Sequence, residues 1–381
     1  MFSQRVTNNS LALALCAGII SGSLVWPAFA QTLPVPQEPS RPRTRDTQQE
    51  PGAKTKAGRD EVSAADDVLR TETNLTTVFF TAEDKHKRYI TTLKQEDIRI
   101  LEDGQPQQVF TFQQNTDLPL SLAVLIDTSR SEERTLPDEK SAAREFLETV
   151  LRPNKDEAAV VSFTGDVTLE QGFTGSLERL RRAIDRVEFV PPSGYIGGGI
   201  AVPSTPPISG TNQIMAGSTA IWDAVWATSD ELMIGSAEHT RRAIILLTDG
   251  ADTISQVKIH EAIERAQKAD ALIYAIGIGD RYTFGVDEGS LRKITGQTGG
   301  RAYFPRNARE LRDAFAEIQR DLRERYLLAY APTNKARDGS YRKIQIEIVN
   351  LELPKDLKLN YRLGYFAKAP ESGTARPTKR P

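Results

Sequence analysis

The stretch LAVLIDTSRS, residues 122–131, joins an apolar segment directly to a run of polar side chains. Five of its first six residues are apolar, and Asp127 then begins an alternation that places hydroxyl side chains at Ser129 and Ser131. Near-continuous apolar runs are typical of parallel strands that are covered on both faces. The stretch therefore predicts a central strand of an α/β sheet with a polar site at its carboxyl end.

Residues 118–325 repeat this alternation of apolar strands and amphipathic helices. Further apolar runs are AAVVSFT, RRAIILLTD and ALIYAIGIG. Helical spacing places apolar residues on one face of two segments, which are Ala142, Ala143, Phe146, Leu147 and Val150 in the first and Leu311, Phe315, Ile318 and Leu322 in the second. The pattern predicts a doubly wound, mostly parallel α/β sheet of the Rossmann-like kind.

Strand-rich segments lie on both sides of this domain. Residues 70–115 contain LTTVFFT, RYITTL, DIRIL and QQVFTFQ, with EDGQ as a hairpin signal. Residues 326–367 contain YLLAYAP, RKIQIEIV and LKLNYRLGYF, with DGS as a turn. Neither segment is long enough for a good sandwich alone. We therefore expect the two segments to form one small β-sandwich, with the domain of residues 118–325 inserted between them.

The ends of the chain have the composition of a targeting segment and of flexible spacers. Residues 1–30 combine Arg5, an apolar run and the sequence PAFA, which predicts a secretory signal peptide. A membrane anchor is the alternative, although the apolar run is short for a stable span. Residues 31–65 and 368–381 are rich in proline and charge, which predicts a disordered linker and a disordered tail. We expect an exported protein, whether periplasmic, cell-surface or secreted.

Charge and cysteine content narrow the class of protein. The chain has 49 basic and 51 acidic residues among 381, which gives a net charge of -2. This balance does not favour binding to nucleic acid or to an anionic membrane. The single cysteine, Cys16, lies inside the predicted signal peptide. The exported chain would therefore have to be stable without disulfide bonds.

Two further segments place oxygen-bearing side chains at helix starts and strand ends. Thr219 precedes the predicted helix in GSTAIWDAV, and Asp249 ends the apolar strand in IILLTDGAD. Sites in open α/β sheets form beyond the carboxyl ends of strands, where the strand order reverses. If the strands that end at Asp127 and Asp249 are neighbours, five side chains converge, namely Asp127, Ser129, Ser131, Thr219 and Asp249. Their hard oxygen ligands suit Mg²⁺ or Mn²⁺. DTSRS alone would also serve as a helix N-cap.

These segments resemble the von Willebrand factor type A family and its metal-ion-dependent adhesion site. The resemblance covers about 200 residues and implies that the five side chains named above hold a divalent metal. The chain is also similar to the secreted VWFA-related proteins of Acidobacteria, because EDG precedes the domain and YRLGY follows it. The insert at residues 190–218, rich in glycine, proline and serine, is longer than the family pattern leads us to expect.

The sequence predicts a binding module and no enzyme. Three of the five ligands would be neutral hydroxyls, so a cation held there keeps charge and one free position for an acidic residue of a partner protein. One alternative is an envelope scaffold in which the metal only orders the loops. The other is metal-assisted hydrolysis, which is less favoured because no motif places a general base. The three histidines are scattered without the spacing of a zinc site.

Overall fold

The fold is described by a computed structural model. It describes residues 75–114, 117–189, 195–197, 200–201, 218–237, 240–278, 286–354 and 356–369. The predicted signal peptide and linker lie outside these residues, as do almost all of the predicted tail and most of the 190–218 insert. The domain boundaries given above remain predictions.

Sixteen strands and six α-helices are found in the described residues. The strands are β1 (Thr76–Glu83), β2 (Ile98–Glu102), β3 (Gln105–Pro106), β4 (Val109–Gln114), β5 (Leu120–Asp127), β6 (Glu157–Phe163), β7 (Val167–Thr174), β8 (Tyr195–Gly197), β9 (Ile200–Ala201), β10 (Arg241–Thr248), β11 (Ala271–Gly277), β12 (Ala302–Tyr303), β13 (Tyr326–Tyr330), β14 (Tyr341–Ile348), β15 (Lys358–Tyr361) and β16 (Gly364–Phe366). The helices are α1 (Leu136–Val150), α2 (Leu177–Arg186), α3 (Ile221–Ala227), α4 (Ile259–Lys268), α5 (Glu288–Thr298) and α6 (Ala308–Arg323).

A six-stranded sheet forms the centre of the inserted domain. Its strand order is β12-β11-β10-β5-β6-β7, and every neighbouring pair is parallel except β6 and β7. The chain runs outward from β5 to β6 and β7, then returns to β10 on the other side of β5. The strand order thus reverses between β5 and β10. This arrangement confirms the predicted doubly wound, mostly parallel sheet.

Helices cover both faces of this sheet. Leu122, Val124 and Ile126 of β5 belong to a core that includes the apolar faces of α1, α2 and α6. Ala123 and Leu125, which alternate with them, belong to a second core with α3, α4 and α5. Every residue of β5 is buried, as its continuous apolar run predicted.

The flanking strands form a β-sandwich, as expected. One sheet has the order β15-β1-β13-β4 and the other has the order β16-β14-β2-β3, so each sheet contains strands from both ends of the domain. A shared apolar core lies between the sheets and includes Phe80, Ile100, Tyr326 and Ile344. The ring centroids of Phe80 and Tyr326 are 5.0 Å apart and nearly parallel. Neither terminal segment supplies this core alone.

The inserted domain begins and ends at paired positions of the sandwich. Strand β4 precedes the domain and β13 follows it, and the two strands are antiparallel neighbours. Gln114, the last residue of β4, lies opposite Tyr326, the first residue of β13. The α/β domain therefore occupies the position of a very long hairpin loop.

The predicted EDGQ hairpin is present between β2 and β3. Asp103 and Gly104 adopt positive φ angles of 49° and 81°, as a type I′ turn requires. One predicted strand is wrong, however. In RYITTL only Tyr89 makes a bridge, to Glu83, and the segment leads into a short 3-10 helix at Gln95–Asp97.

The predicted strand LKLNYRLGYF is two strands in different sheets. Strand β15 pairs with β1 in the first sheet, and β16 pairs with β14 in the second. The chain passes between the sheets at Arg362 and Leu363. A Cβ on Gly364 would lie 2.4 Å from the Arg342 carbonyl oxygen, so only glycine permits this close crossing.

Candidate metal site

The two predicted carboxylates lie side by side at the reversal of the sheet. Strands β5 and β10 are parallel neighbours with Ile126 opposite Leu247. Asp127 ends β5, and Asp249 follows the last residue of β10. Both aspartates are buried, with 0% and 1% of their surface exposed. The expectation that these strands are neighbours is confirmed.

Hydrogen bonds join four of the five predicted side chains. Asp127 Oδ1 accepts the Ser129 backbone N–H at 2.9 Å. The hydroxyl oxygens of Ser129 and Ser131 are 3.1 Å apart, and the Ser131 side chain is hydrogen bonded to Asp249. Asp127 Oδ2 accepts a hydrogen bond of 2.5 Å from the Thr248 hydroxyl. The backbone and side-chain bonds together fix both carboxylate oxygens of Asp127.

Thr219 is held beside this cluster through its backbone. It is buried just before α3, and its N–H donates to the Thr253 hydroxyl at 2.8 Å. The Thr219 carbonyl accepts the Thr253 backbone N–H at 2.9 Å. Because Thr253 belongs to the loop that follows Asp249, these hydrogen bonds hold the Thr219 segment against that loop. The described hydrogen bonds link Thr219 to this loop, whereas the other four side chains are linked to one another.

Asp252 stabilises the same loop. Its Oδ1 accepts the Ile221 backbone N–H at 2.8 Å and the Ser255 hydroxyl at 2.5 Å. The Ser255 hydroxyl oxygen in turn accepts the Trp222 N–H at 3.0 Å. These bonds satisfy free N–H groups at the start of α3. The role of Asp252 in the structure is therefore to cap this helix.

Two glutamates that the sequence analysis missed complete the site. Carboxylate oxygens of Asp127, Glu132 and Asp249 all lie within 4.8 Å of one another. Glu132 and Glu139 are both fully buried, and among the described residues no well-aligned donor reaches Glu132 Oε1 or either carboxyl oxygen of Glu139. Four carboxyl groups thus share one buried region at the carboxyl end of the sheet.

Burial and mutual repulsion shift the titration of this cluster. Loss of hydration raises the pKa of Asp127 to about 7 against the opposing hydrogen bonds from Thr248 and Ser129, and the charge of Asp249 raises it further. Burial likewise raises the pKa of Glu139 to about 7 and the pKa of Asp249. Burial, with Glu139 and Asp127 nearby, holds the pKa of Glu132 well above its usual range.

The cluster therefore favours binding either protons or a cation. Carboxylate and hydroxyl oxygens are the ligands that Mg²⁺ and Mn²⁺ prefer, and the undonated Glu132 oxygen is a further acceptor beside them. The donor set fits a hard divalent metal.

Comparisons with known families agree with this geometry. A profile of the von Willebrand factor type A domain matches residues 208–317, and a second profile of the same domain matches residues 122–251. The chain contains a von Willebrand factor type A domain. The two matches include all five predicted ligands of the type A domain. A search among curated proteins returned no match.

Solved structures similar to the type A domain come from a mussel and from a bacterium. Proximal thread matrix protein 1 from the mussel byssus is 18% identical over 54% of this chain and 49% of its own, with a TM-score of 0.41. A second structure of that protein has a zinc-occupied metal-ion-dependent adhesion site, with 18% identity over 54% and 48% of the chains and a TM-score of 0.41. BatB from Bacteroides thetaiotaomicron is 17% identical over 53% of this chain and 97% of its own, with a TM-score of 0.40. The match thus spans about half the length of the mussel protein.

None of the helices in the described part of the chain combines the length and apolar character needed to cross a membrane.

Proposed function

We propose that this chain is an exported protein-binding module whose type A domain uses a divalent cation to capture an acidic residue of a partner protein. One observation carries the proposal. Hydrogen bonds connect Asp127, Ser129, Ser131 and Asp249 at the reversal of the sheet, where ligands of open α/β folds bind. Type A domains are typically interaction modules rather than enzymes, which agrees with this reading.

The proposed ligands are Asp127, Ser129, Ser131, Thr219 and Asp249, with Mg²⁺ or Mn²⁺ as the metal. A cation bound there would supply a positively charged position for the carboxylate of the partner. The protein contributes rigidity, because Thr248 and the Ser129 N–H hold Asp127, and the Thr253 contacts hold the Thr219 segment. Ligands fixed in this way need little rearrangement when the metal binds.

Glu132 decides how much positive charge such a cation retains. Three ionised carboxylates around a divalent ion would leave a net negative charge, which disfavours an acidic partner. Burial and the neighbouring Glu139 and Asp127 raise the pKa of Glu132 in the metal-free site, which favours its neutral form. A neutral Glu132 would leave Asp127 and Asp249 as the charged ligands, and this arrangement would suit capture of an acidic partner.

A structural role of the metal is the second candidate, and the same residue favours it. The Glu132 carboxylate lies within 4.8 Å of those of Asp127 and Asp249, so an ionised Glu132 could complete a closed site. The metal would then order the loops around Ser129, Thr219 and Asp249 without meeting a partner. Metal binding would raise stability, but no partner would depend on it.

A pull-down from the native envelope separates the two functions. We expect the wild-type chain to retain a partner in Mg²⁺ and to lose it in EDTA while remaining folded. Asp127→Ala should lose the partner, and Asp313→Ala, on the exposed face of α6, should keep it. Loss of folding in EDTA, with no partner captured in Mg²⁺, would support the structural role instead.

Glu132→Gln adds a sharper comparison, because it removes the charge and keeps the shape. If Glu132 is protonated, Glu132→Gln captures the partner as well as the wild type does. If Glu132 closes the site, the variant loses metal affinity and the thermal stabilisation that metal provides.

Export and the absence of catalysis are parts of the proposal that can be checked separately. The predicted cleavage after Ala30 gives a mature protein that begins at Gln31, which mass spectrometry of the chain from its native host measures. The hydrolase alternative predicts turnover of some member of a panel of esters and phosphate esters. We expect no turnover in Mg²⁺ or Mn²⁺.

A further inference from the structure

A cavity of about 330 Å³ lies at the end of the central sheet opposite the metal site. Its walls include Arg241 at the start of β10 and Ala271 at the start of β11, together with Thr77 and Phe79 of sandwich strand β1. The carboxyl ends of the same sheet carry the metal site, so the two sites lie at opposite ends of β10. Concave sites between packed structural units are common places for small ligands.

The charged groups of this cavity are unbalanced. Three arginines line it, Arg241, Arg242 and Arg362, and among the described lining residues Asp270 is the only carboxylate. Arg362 forms an ion pair with Asp270 and donates to the Thr77 carbonyl at 2.6 Å. Arg241 donates to backbone carbonyl groups, among them that of Leu118 at 3.3 Å, which carry no net charge. The cavity therefore has an excess of positive charge.

Two of these arginines retain buried donors without acceptors. Nε of Arg241 and Nε of Arg362 have no hydrogen-bond partner among the described residues, although Arg241 is only 6% exposed and the Arg362 side chain 12%. Nε of Arg265, Arg325 and Arg342 also lacks a partner among the described residues, so the charge and shape of the cavity, and not these atoms alone, define the site. Burial lowers the pKa of both arginines to about 10, which leaves them charged at neutral pH.

The rest of the lining is largely apolar. Phe79, Leu118 and Leu327 contribute side chains to the same cavity. A ligand that matches both parts has an anionic head for the guanidinium groups and an apolar body for these three residues. Guanidinium groups bind carboxylate and phosphate oxygens through paired, charge-assisted hydrogen bonds.

We propose that this cavity binds a small amphipathic organic anion, with its carboxylate or phosphate head at Arg241 and Arg362 and its apolar body against Phe79, Leu118 and Leu327. The site is independent of the metal and of the partner proposed above. The ligand would lie at the junction of the sandwich and the type A domain.

Calorimetric titration of the purified chain in EDTA tests the site without the metal. The probes are octanoate, octyl phosphate and the neutral octanol, which share an eight-carbon body. We expect one of the two anions to bind at a single site and octanol to bind at least about tenfold more weakly, because it lacks the charge-assisted bonds. The stronger anion identifies the head group. Absence of binding by both anions, or equal binding of octanol, overturns the proposal.

Two substitutions place the binding in this cavity. Arg241→Gln removes one guanidinium, and Arg312→Gln makes the same change on the exposed face of α6 as a matched control. Thr77→Phe fills the cavity from β1 and leaves the backbone carbonyl that Arg362 uses. We expect the bound anion to lose at least about tenfold in affinity in Arg241→Gln and Thr77→Phe, and nothing in Arg312→Gln. If Arg241→Gln does not fold, Thr77→Phe alone decides, and unchanged binding in that variant contradicts the proposed site.

Discussion

The Thr248 hydroxyl donates a 2.5 Å hydrogen bond to Asp127 Oδ2 across the boundary between β10 and β5. Thr248 is not one of the proposed metal ligands, yet it fixes the orientation of one. The Ser129 N–H holds the other oxygen of the same carboxylate. The strand pairing itself therefore sets the position of Asp127, because Thr248 belongs to the neighbouring strand.

Thr248→Val should weaken metal binding while keeping the shape of the side chain. Loss of this bond frees Asp127 to rotate, and changes behind a metal ligand typically reduce affinity by about 10-fold to 100-fold. Calorimetry with Mn²⁺ measures the effect. Thr295→Val, in the interior of α5, removes a buried hydroxyl bond to the Leu291 carbonyl and should leave affinity unchanged. Equal affinity in Thr248→Val and the wild type would show that the bond has no role in metal binding.

Stability should depend on pH more strongly without metal than with it. The folded pKa of Asp127, about 7, lies above its ordinary value of 3.8. Protonation therefore favours the folded state, and this contribution is complete below pH 3.8 and lost as pH rises through about 7. We expect the melting temperature in EDTA to fall between pH 5 and pH 8. In Mg²⁺ it should fall less, because the deprotonated carboxylates bind the ion.

The variant Asp127→Asn identifies the source of this pH dependence. It removes one of the raised carboxyl groups, so its melting temperature in EDTA should change less with pH than that of the wild type. An unchanged pH profile would assign the effect to other groups.

Asp321→Asn should destabilise the chain strongly. Asp321 is fully buried, and its Oδ2 accepts a 2.6 Å bond from Arg325, which is also fully buried. Arg301 lies 3.3 Å from its Oδ1, so the substitution leaves two guanidinium groups without their shared partner. Breaking such a buried pair costs about 3–5 kcal/mol in the free energy of unfolding. Urea denaturation measures it, with the exposed Asp313→Asn as a control near zero.

The contribution of this ion pair to stability should depend on pH. Arg325 and Arg301 hold this pKa below its usual range despite burial. The stabilisation is therefore complete above the ordinary carboxyl pKa and lost only as pH falls through the lowered folded value. A wild-type chain that unfolds near pH 4 at the same urea concentration as Asp321→Asn would contradict this assignment.

Gly299→Ala and Gly296→Ala should have opposite effects on stability. Gly299 ends α5 with a φ of +85°, and a Cβ there would lie 2.5 Å from the Arg362 backbone nitrogen. Gly296 is in the same helix and has no atom within 4 Å of a built Cβ. We expect Gly299→Ala to lower the free energy of unfolding by more than about 1 kcal/mol, and Gly296→Ala to raise it by about 0.5–1 kcal/mol. Thermal melts of both variants provide the measurement.

Local pattern was enough to predict the sheet and the meeting of its two aspartates. Continuous apolar runs identified β5 and β10, and the rule for open α/β sheets placed Asp127 and Asp249 together. Glu139 also had a signal in the sequence. It lies three and seven residues before Ala142 and Phe146, so helical spacing places it on the buried face of α1. An acid on an apolar face is unusual enough to indicate a site.

Other features depend on contacts that no local pattern contains. Glu132 follows Ser131 in a short 3-10 turn, and only the three-dimensional path of the chain brings it to Asp249. The alternating sequence of residues 357–366 reads as one strand, since alternation does not show a change of sheet. The inter-domain cavity could not be foreseen either, because Arg241 and Arg362 are 121 positions apart.

The pairing of Gln114 with Tyr326 has a mechanical consequence. A pull on the two ends of the polypeptide loads the sandwich first, because β4 and β13 are joined by hydrogen bonds at the point where the chain leaves and returns. The inserted domain stays relaxed until those strands separate. A protein anchored at both ends could thus carry tension without deforming the surface at which we propose that a partner binds.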